Sequence, residues 1–417
     1  MTGSRTPIRA LYLCYFGLRE PLVQTQVLPY LRQLATAGID VSLLTFEPQL
    51  KQKWSSAEIS DARARLADQG LRWFYLPYHK RPSVPATVYD IAAGAWTAAR
   101  LVRQYNIDVL HARSHVPLAM ALLARRLAGC RLIFDIRGLM AEEYADAGIW
   151  AEGSLPFRAV KLLERAGVRR ADQVVVLTER LRDWLIDHGL AGGEKIEVIP
   201  CCVDFSRFGE TDGEATTGAS DRFEVVYAGS VTGLYLLEEM GRFFMQVQAR
   251  RPNALFRILT VSSPLAARAV LHRTGLQESD FWIGAARPAE VPAYLRRARL
   301  ALSFRKPTFS QIAASPTKIP EYLAAGLPVV CNARIGDMDE LLEKEGVGTI
   351  VWRLDDEAYA AAAERALALA DQPQIRARCA QVARQYFDLV QVGGVGYHNV
   401  YTRIGALPKE VAAISEA

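Results

Sequence analysis

Apolar and polar positions follow one rhythm along this chain: a short apolar run, a longer amphipathic segment, then another apolar run. Ile8–Phe16 is the first apolar run and reads as a buried strand. In Gln24–Ala37 the residues Val27, Leu31 and Leu34 recur at helical spacing, with Gly38 as the stop. Val41–Phe46 is again a strand. Helix Ser55–Gln69, strand Leu71–Leu76, helix Val84–Tyr105, strand Ile107–Leu110, helix Pro117–Ala128 and strand Leu132–Ile136 continue the series. A helix around Phe157–Arg170, strand Gln173–Leu177, a helix capped by Thr178 and ending near His188, and strand Ile196–Ile199 complete the first half. Near-continuous apolar strands alternating with helices predict parallel sheets covered on both faces.

Residues 209–221, GETDGEATTGASD, form a polar stretch that reads as a linker or surface loop. The pattern then restarts. Strands are expected at Phe223–Ala228, Leu255–Val261, Phe281–Ile283, Leu300–Phe304, Pro328–Cys331 and near Thr349–Trp352. Helices are expected at Leu234–Ala249, Pro264–Arg273, Ala289–Ala298, Lys318–Ala325 and Asp339–Glu343, and the remainder is helical. The expectation is an α/β protein of two doubly wound, Rossmann-like domains, residues 1–203 and 204–387, facing each other across a cleft. In such sheets ligands bind beyond the carboxyl ends of the strands.

Composition narrows the class. Of 417 residues, 50% are hydrophobic and 23% charged, which excludes a disordered chain. The formal charge of +5 is too small to announce a nucleic-acid partner. Residues 1–203 hold 26 basic and 20 acidic side chains, and residues 204–417 hold 24 and 25. The excess in the first half leaves contact with an anionic surface or substrate open beside a plain solvated face. No apolar run approaches the roughly 18–20 residues of a membrane span. The N-terminal apolar run leads into Gly17-Leu-Arg-Glu-Pro21 rather than a cleavage site, so a cytoplasmic location is expected. Six cysteines without a CxxC or Cys/His cluster read as buried free thiols. Basic amphipathic stretches in Leu122–Arg126 and Lys161–Arg170 could meet the inner membrane peripherally; a solvated helix face is the commoner explanation.

The stretch Ser310–Val330, SQIAASPTKIPEYLAAGLPVV, carries the most chemistry. Pro320 is tolerated only near a helix start, which places Thr317 as the N-cap. Free N–H groups near Lys318 and Ile319 would then form an anion site, with the Lys318 charge and the Ser315 hydroxyl beside it. A nucleoside diphosphate needs such a set. Glu321, a turn further in, would repel phosphate but could accept from ribose hydroxyls. An ordinary capped helix with a salt bridge is the other reading of the same residues.

This segment resembles the donor-site signature of the family 4 (group 1) glycosyltransferases, which have the GT-B fold. Glu321, Gly326, Pro328, Val329 and Val330 match it, and Ser315-Pro-Thr-Lys318-x-x-Glu321-Tyr-Leu-Ala-x-Gly326 is similar to a bacterial subgroup that builds surface polysaccharides. Asp172-Gln-Val-Val-Val-Leu-Thr178-Glu, Val198-Ile-Pro200-Cys-Cys-Val203-Asp204 and Val226-Tyr-Ala-Gly229-Ser230 resemble further family segments in order. The resemblance implies an acceptor-binding first domain and a nucleotide-sugar-binding second domain, with residues 388–417 returning to the first. It implies a retaining, metal-independent hexosyltransferase that uses no cofactor and moves a sugar from a nucleoside diphosphate sugar to a glycan or lipid-linked acceptor. Gly17 resembles the glycine-bearing loop under the donor phosphates; Gly229 and Ser230 would line the donor turn. Arg287 would sit at the nucleotide base, and Ser315, Thr317 and Lys318, with Arg305, would hold the diphosphate.

The departures from the family pattern are specific. Ala313 stands where the family has the first of two glutamates. Gly229-Ser-Val-Thr-Gly233 carries no base. Arg137 holds the place of a histidine and is a candidate brace for a phosphate. These changes leave a nucleotide-sugar epimerase of GT-B fold and a non-catalytic scaffold of a polysaccharide assembly as alternatives. His111-Ala-Arg113-Ser-His115, following a predicted strand end, and Asp135 with Glu143 are acceptor-site candidates. Asp337-Met-Asp339 reads as a helix cap, Asp337 with Glu340, rather than a metal motif.

Overall fold

The computed structural model describes residues 7–208 and 222–405; the expected linker 209–221 and residues 406–417 of the returning segment lie outside them. The chain divides into two units. Of the described residues, the first comprises 7–145, 150–199 and 393–405; the second comprises 146–149, 200–208 and 222–392. The crossings therefore fall a few residues from positions 203 and 387. Backbone pairing explains why: Val203 N–H donates to the Phe387 carbonyl and Leu389 N–H to the Val203 carbonyl, which ties both segments to the second unit.

In the first unit seven strands form a parallel sheet: β1 (Arg9–Leu13), β2 (Asp40–Pro48), β3 (Leu71–Tyr78), β4 (Val109–Arg113), β5 (Arg131–Asp135), β6 (Gln173–Val176) and β7 (Ile196–Val198), in the order β3-β2-β1-β4-β5-β6-β7. The centre is buried throughout: Leu11, Leu43, Leu44, Val109, Leu110, Ile133 and Val174 are fully enclosed. Ser55 and Glu58 make the capping box of helix Ser56–Ala67, and Thr178 accepts from Leu181 N–H to cap Glu179–Asp187. Two expectations shift. The single helix Gln24–Ala37 is two, Pro21–Gln26 and Leu28–Thr36, because Pro29 has no N–H to continue the first ladder. Helix Met140–Asp146, too short for a clear period, went unread in the sequence.

The second unit carries six parallel strands: β8 (Glu224–Ala228), β9 (Leu255–Leu259), β10 (Phe281–Gly284), β11 (Leu300–Ser303), β12 (Val329–Asn332) and β13 (Gly348–Val351), ordered β10-β9-β8-β11-β12-β13. In both sheets the order reverses beside the first strand of the unit, β1 or β8. Ligand sites in open α/β sheets lie beyond the carboxyl ends of the strands at such a point. Phe243, Phe244, Phe256, Phe304 and Tyr359 pack one face of this sheet, and Ile319, Tyr322, Leu323 and Cys379 the other. All six cysteines are free and buried.

Candidate functional site

At the carboxyl end of β8 the chain turns through Gly229, whose φ of +148° is one that side-chain-bearing residues rarely adopt. The turn brings Gly229 against the tip of Lys318: a Cβ there would lie 2.8 Å from the ammonium nitrogen. Lys318 opens helix Lys318–Ala324, which packs against β11 and β12. Its Nζ donates to the Tyr227 hydroxyl at 3.2 Å and lies 3.8 Å from the Tyr235 ring centre. Tyr227 in turn donates to the Ser230 carbonyl. Tyr322, from the same helix as Lys318, accepts from Ala228 N–H at 2.7 Å. Lysine, turn and strand end are thus one braced unit.

The second cation arrives from β11. Arg305 pairs in backbone with Tyr235, and its guanidinium lies 5.0 Å over that ring. Gln311 accepts from Arg305 Nε at 2.6 Å, and Asn332 accepts from its backbone N–H at 2.8 Å. Among the described residues neither Lys318 nor Arg305 has a carboxylate partner. Burial, and then the neighbouring Arg305 charge, push Lys318 well below the ordinary lysine range. Burial likewise raises Tyr227 far above the usual phenol range. The two basic side chains thus flank the Tyr235 ring; an anion reaching them would favour the charged form of Lys318. Ser230 presents its hydroxyl to Thr232 at 3.2 Å on the outer side of the turn.

Several expected contributors are placed differently. Lys318 does not project from an open helix start; it is 6% exposed. The Thr317 side chain makes no cap, and Ile319 N–H is already bonded to the Pro316 carbonyl, so the row of free amides is not there. Ser315 is buried, with its Oγ accepting from Cys201 N–H at 3.0 Å, which ties it to the chain crossing. Glu321 is held by Arg207 at 2.8 Å, and Arg207 also reaches the Pro288 carbonyl. Arg287 stands in solvent, paired with Glu290 three residues on. Ala313, where the resemblance implies a carboxylate, is fully buried in the turn Phe309–Ala313. Asp337 does not cap with its side chain; Asp339 does the local bonding instead, accepting from Arg334 and Glu340 N–H.

In the first unit β4 runs on through Arg113, and helix His115–Ala128 begins two residues later. His111 and Arg113 are therefore strand residues inside the core, not a loop beyond it. His115 is fully buried with its Nε2 3.0 Å from Glu164, which Lys161 also grips. That pair clamps two helices together and offers nothing to an acceptor. Asp135 is fully enclosed as well. Tyr397, on the returning helix Val395–Arg403, donates to Asp135 at 2.9 Å, and Tyr401 lies 3.3 Å from His111 Nδ1. Burial would raise the Asp135 carboxyl, but Arg137 at 3.5 Å, His111 and Arg113 outweigh it and hold it well below the usual carboxylate range. His111 and Asp135 thus anchor the returning helix, with Arg113 3.8 Å from the same carboxylate. Gly17 is packed against Pro48 and Glu47, where a Cβ would meet Pro48 at 2.7 Å. Glu143 folds its carboxylate over Gly138.

The structure therefore brings together Gly229, Ser230, Arg305 and Lys318, while Ser315, Glu321 and Arg287 are engaged with Cys201, Arg207 and Glu290. Sequence reasoning missed Tyr227, Tyr235 and Arg207. Tyr227 lies within the quoted strand motif and was legible as a strand residue adjoining the turn. Tyr235 meets Arg305 only through a bridge between segments 70 residues apart, and Arg207 carries no local signal.

Comparison with known proteins gives two matching family models. One described as a glycosyl transferase 4-like domain matches residues 23–202, and one described as glycosyl transferases group 1 matches residues 223–369. No curated protein sequence is significantly similar. Among solved structures, sucrose-phosphate synthase from Thermosynechococcus elongatus is 16% identical with a TM-score of 0.72, over 96% of this chain and 99% of that one. HepE of Anabaena, solved with UDP and glucose, is 16% identical with a TM-score of 0.66, over 96% and 100%. A UDP-N-acetylglucosamine 2-epimerase is 11% identical with a TM-score of 0.60, over 96% and 98%. At these identities the likeness is one of fold.

Proposed function

The chain belongs to the group 1 glycosyltransferases and has their GT-B fold, and from that premise we propose that it is a retaining, metal-independent transferase of polysaccharide assembly. It takes a hexosyl group from a nucleoside diphosphate sugar and places it on a hydroxyl of a glycan or lipid-linked acceptor. The observation that supports this reading is the pair of basic side chains, Lys318 at a helix start and Arg305 just past β11, beside the Gly229 turn that ends β8, a turn that side-chain-bearing residues rarely make. In the transfer step the bond between the anomeric carbon and the phosphate oxygen breaks and its electron pair leaves with the diphosphate. The acceptor oxygen bonds to the anomeric carbon, and its proton passes to the leaving phosphate. Negative charge therefore grows on the diphosphate, and fixed cations in a dry site stabilise it more than water would. Glu321, oriented by Arg207, is the candidate acceptor for ribose hydroxyls.

The test is a panel of nucleoside diphosphate sugars with purified protein. Slow hydrolysis of one donor, releasing free sugar and nucleoside diphosphate, is the expected result. An isomerised donor sugar would instead indicate an epimerase. Silence with every donor, in the presence of candidate acceptors and membranes, would indicate the scaffold that Ala313 leaves open.

A further inference from the structure

Three helices of the first unit lie side by side on one face of its sheet: Ser83–Tyr105 packs on His115–Ala128, which packs on Leu155–Arg170. Their seams are closed by Arg103 donating to the Leu127 carbonyl and Arg125 to the Arg170 carbonyl. The outer surface of this layer is unusual in both polarity and charge. On the first helix Val84, Val88, Ala92 and Trp96 form an exposed stripe that ends in Arg100 and Arg103, and Trp96 is 70% exposed. On the second, Leu123 and Leu127 are exposed on either side of Arg126. On the third, Leu155, at 82%, and Leu162, at 66%, alternate with Arg158, Arg165 and Arg169.

The three helices themselves present no exposed carboxylate; Asp172, just past the third, pairs with Arg125, and Glu152 precedes it. The only acidic residues in the three helices are Asp90 and Glu164, and both are buried. Arg100, Arg126, Arg158, Arg165 and Arg169 have no ion-pair partner among the described residues. Between the first two helices Trp96, Ala99 and Leu127 line a shallow cavity of about 360 Å³ rimmed by Arg100 and Arg103.

We propose that this three-helix face docks the protein on an anionic lipid bilayer. The chemistry matches a bilayer surface on two counts. Trp and Leu projecting beyond a ring of arginines fit the boundary where acyl chains meet headgroups. Arginines spread over three helices that themselves expose no carboxylate fit a plane of negative charge. A nucleic acid would satisfy the arginines but leave the projecting leucines against water or phosphate. A second copy of the same face would set arginine against arginine. The inference does not depend on the donor-site reading, since the two rest on different units of the chain.

The full chain is mixed with vesicles of phosphatidylcholine alone, or with about one third phosphatidylglycerol, and sedimented. Binding to the anionic vesicles at least about tenfold stronger than to the neutral ones, weakening as salt is raised, is expected. The double variant Trp96→Ser with Leu162→Ser and the triple variant Arg100→Glu, Arg126→Glu, Arg165→Glu should each lose at least about tenfold in vesicle affinity. All five positions are exposed, and circular dichroism checks the fold. UDP affinity, measured by calorimetry on the same samples, should be unchanged in both variants. Loss of UDP binding in the parent chain would count against the donor site without touching the docking face. Equal binding to neutral and anionic vesicles, no binding to either, variants that bind like the parent, a dimer that these variants dissociate, or tighter binding to a DNA duplex than to the vesicles would each overturn the proposal.

Discussion

Replacing Lys318 by methionine separates what this residue costs the fold from what it does for a ligand. The ammonium is buried with one hydroxyl and two aromatic faces as its surroundings, and no carboxylate. Methionine keeps the length and removes the charge. Burying a polar group with incomplete compensation costs about 1–3 kcal/mol on protein mutational scales. Tyr227 keeps its bond to Ser230, so nothing else is stranded. Lys318→Met should therefore raise the stability of the empty protein at neutral pH by about 1 kcal/mol or more. The sign with pH follows from the depressed folded value. Between it and the ordinary lysine value of 10.5 the unfolded chain holds one more proton, so parental stability rises with pH across that interval and is lowest below it. The variant should lack this slope. Binding moves the opposite way. A charge-assisted contact to phosphate is worth about 1.5–3 kcal/mol, so UDP affinity should fall about ten- to a hundredfold. Parental binding should also take up a proton within that interval, read as a dependence of the calorimetric heat on buffer ionisation. Denaturant melts and calorimetry over a pH series make both measurements. A variant that is less stable than the parent, or that binds UDP as tightly, would refute the reasoning.

Gly229→Ala places a methyl group 2.8 Å from Lys318 Nζ on a backbone that disfavours it; a stability loss of about 1–3 kcal/mol with a matching loss of UDP affinity is expected from melts and calorimetry. Glu321→Gln should weaken UDP about tenfold, at about 1.4 kcal/mol, while Arg207→Ala, which frees the carboxylate, should weaken it less; deoxyribose UDP should erase the difference between Glu321→Gln and parent. Tyr397→Phe removes a donor from a fully buried carboxylate, which should cost about 1–3 kcal/mol in melts. Asp135 itself stabilises the fold above the ordinary carboxylate range, and that contribution is lost as pH falls through its depressed folded value; acid unfolding of Asp135→Asn should show a shallower pH dependence.

The alternating pattern of apolar strands and amphipathic helices determined the α/β class and nearly every element, because parallel strands buried on both faces have no polar side and cannot be mistaken for surface segments. The sequence alone also singled out Lys318, Gly229 and Ser230 as candidates, since a helix-start lysine and a glycine at a strand end are local features. Tertiary structure decided what those residues do. Whether Lys318 faces water or Tyr227 and Tyr235 depends on a loop that closes through the Tyr235–Arg305 bridge, a contact across 70 residues that no local window contains. His115 and Asp135 looked like binding groups because they are polar and follow apolar runs. Their partners, Glu164 and Tyr397, arrive from 49 and 262 residues away, and burial of the paired groups turned them into anchors. The exposed arginine and leucine face shows the same division: each helix reads alone as an ordinary amphipathic segment, and only their side-by-side packing gathers three stripes into one surface.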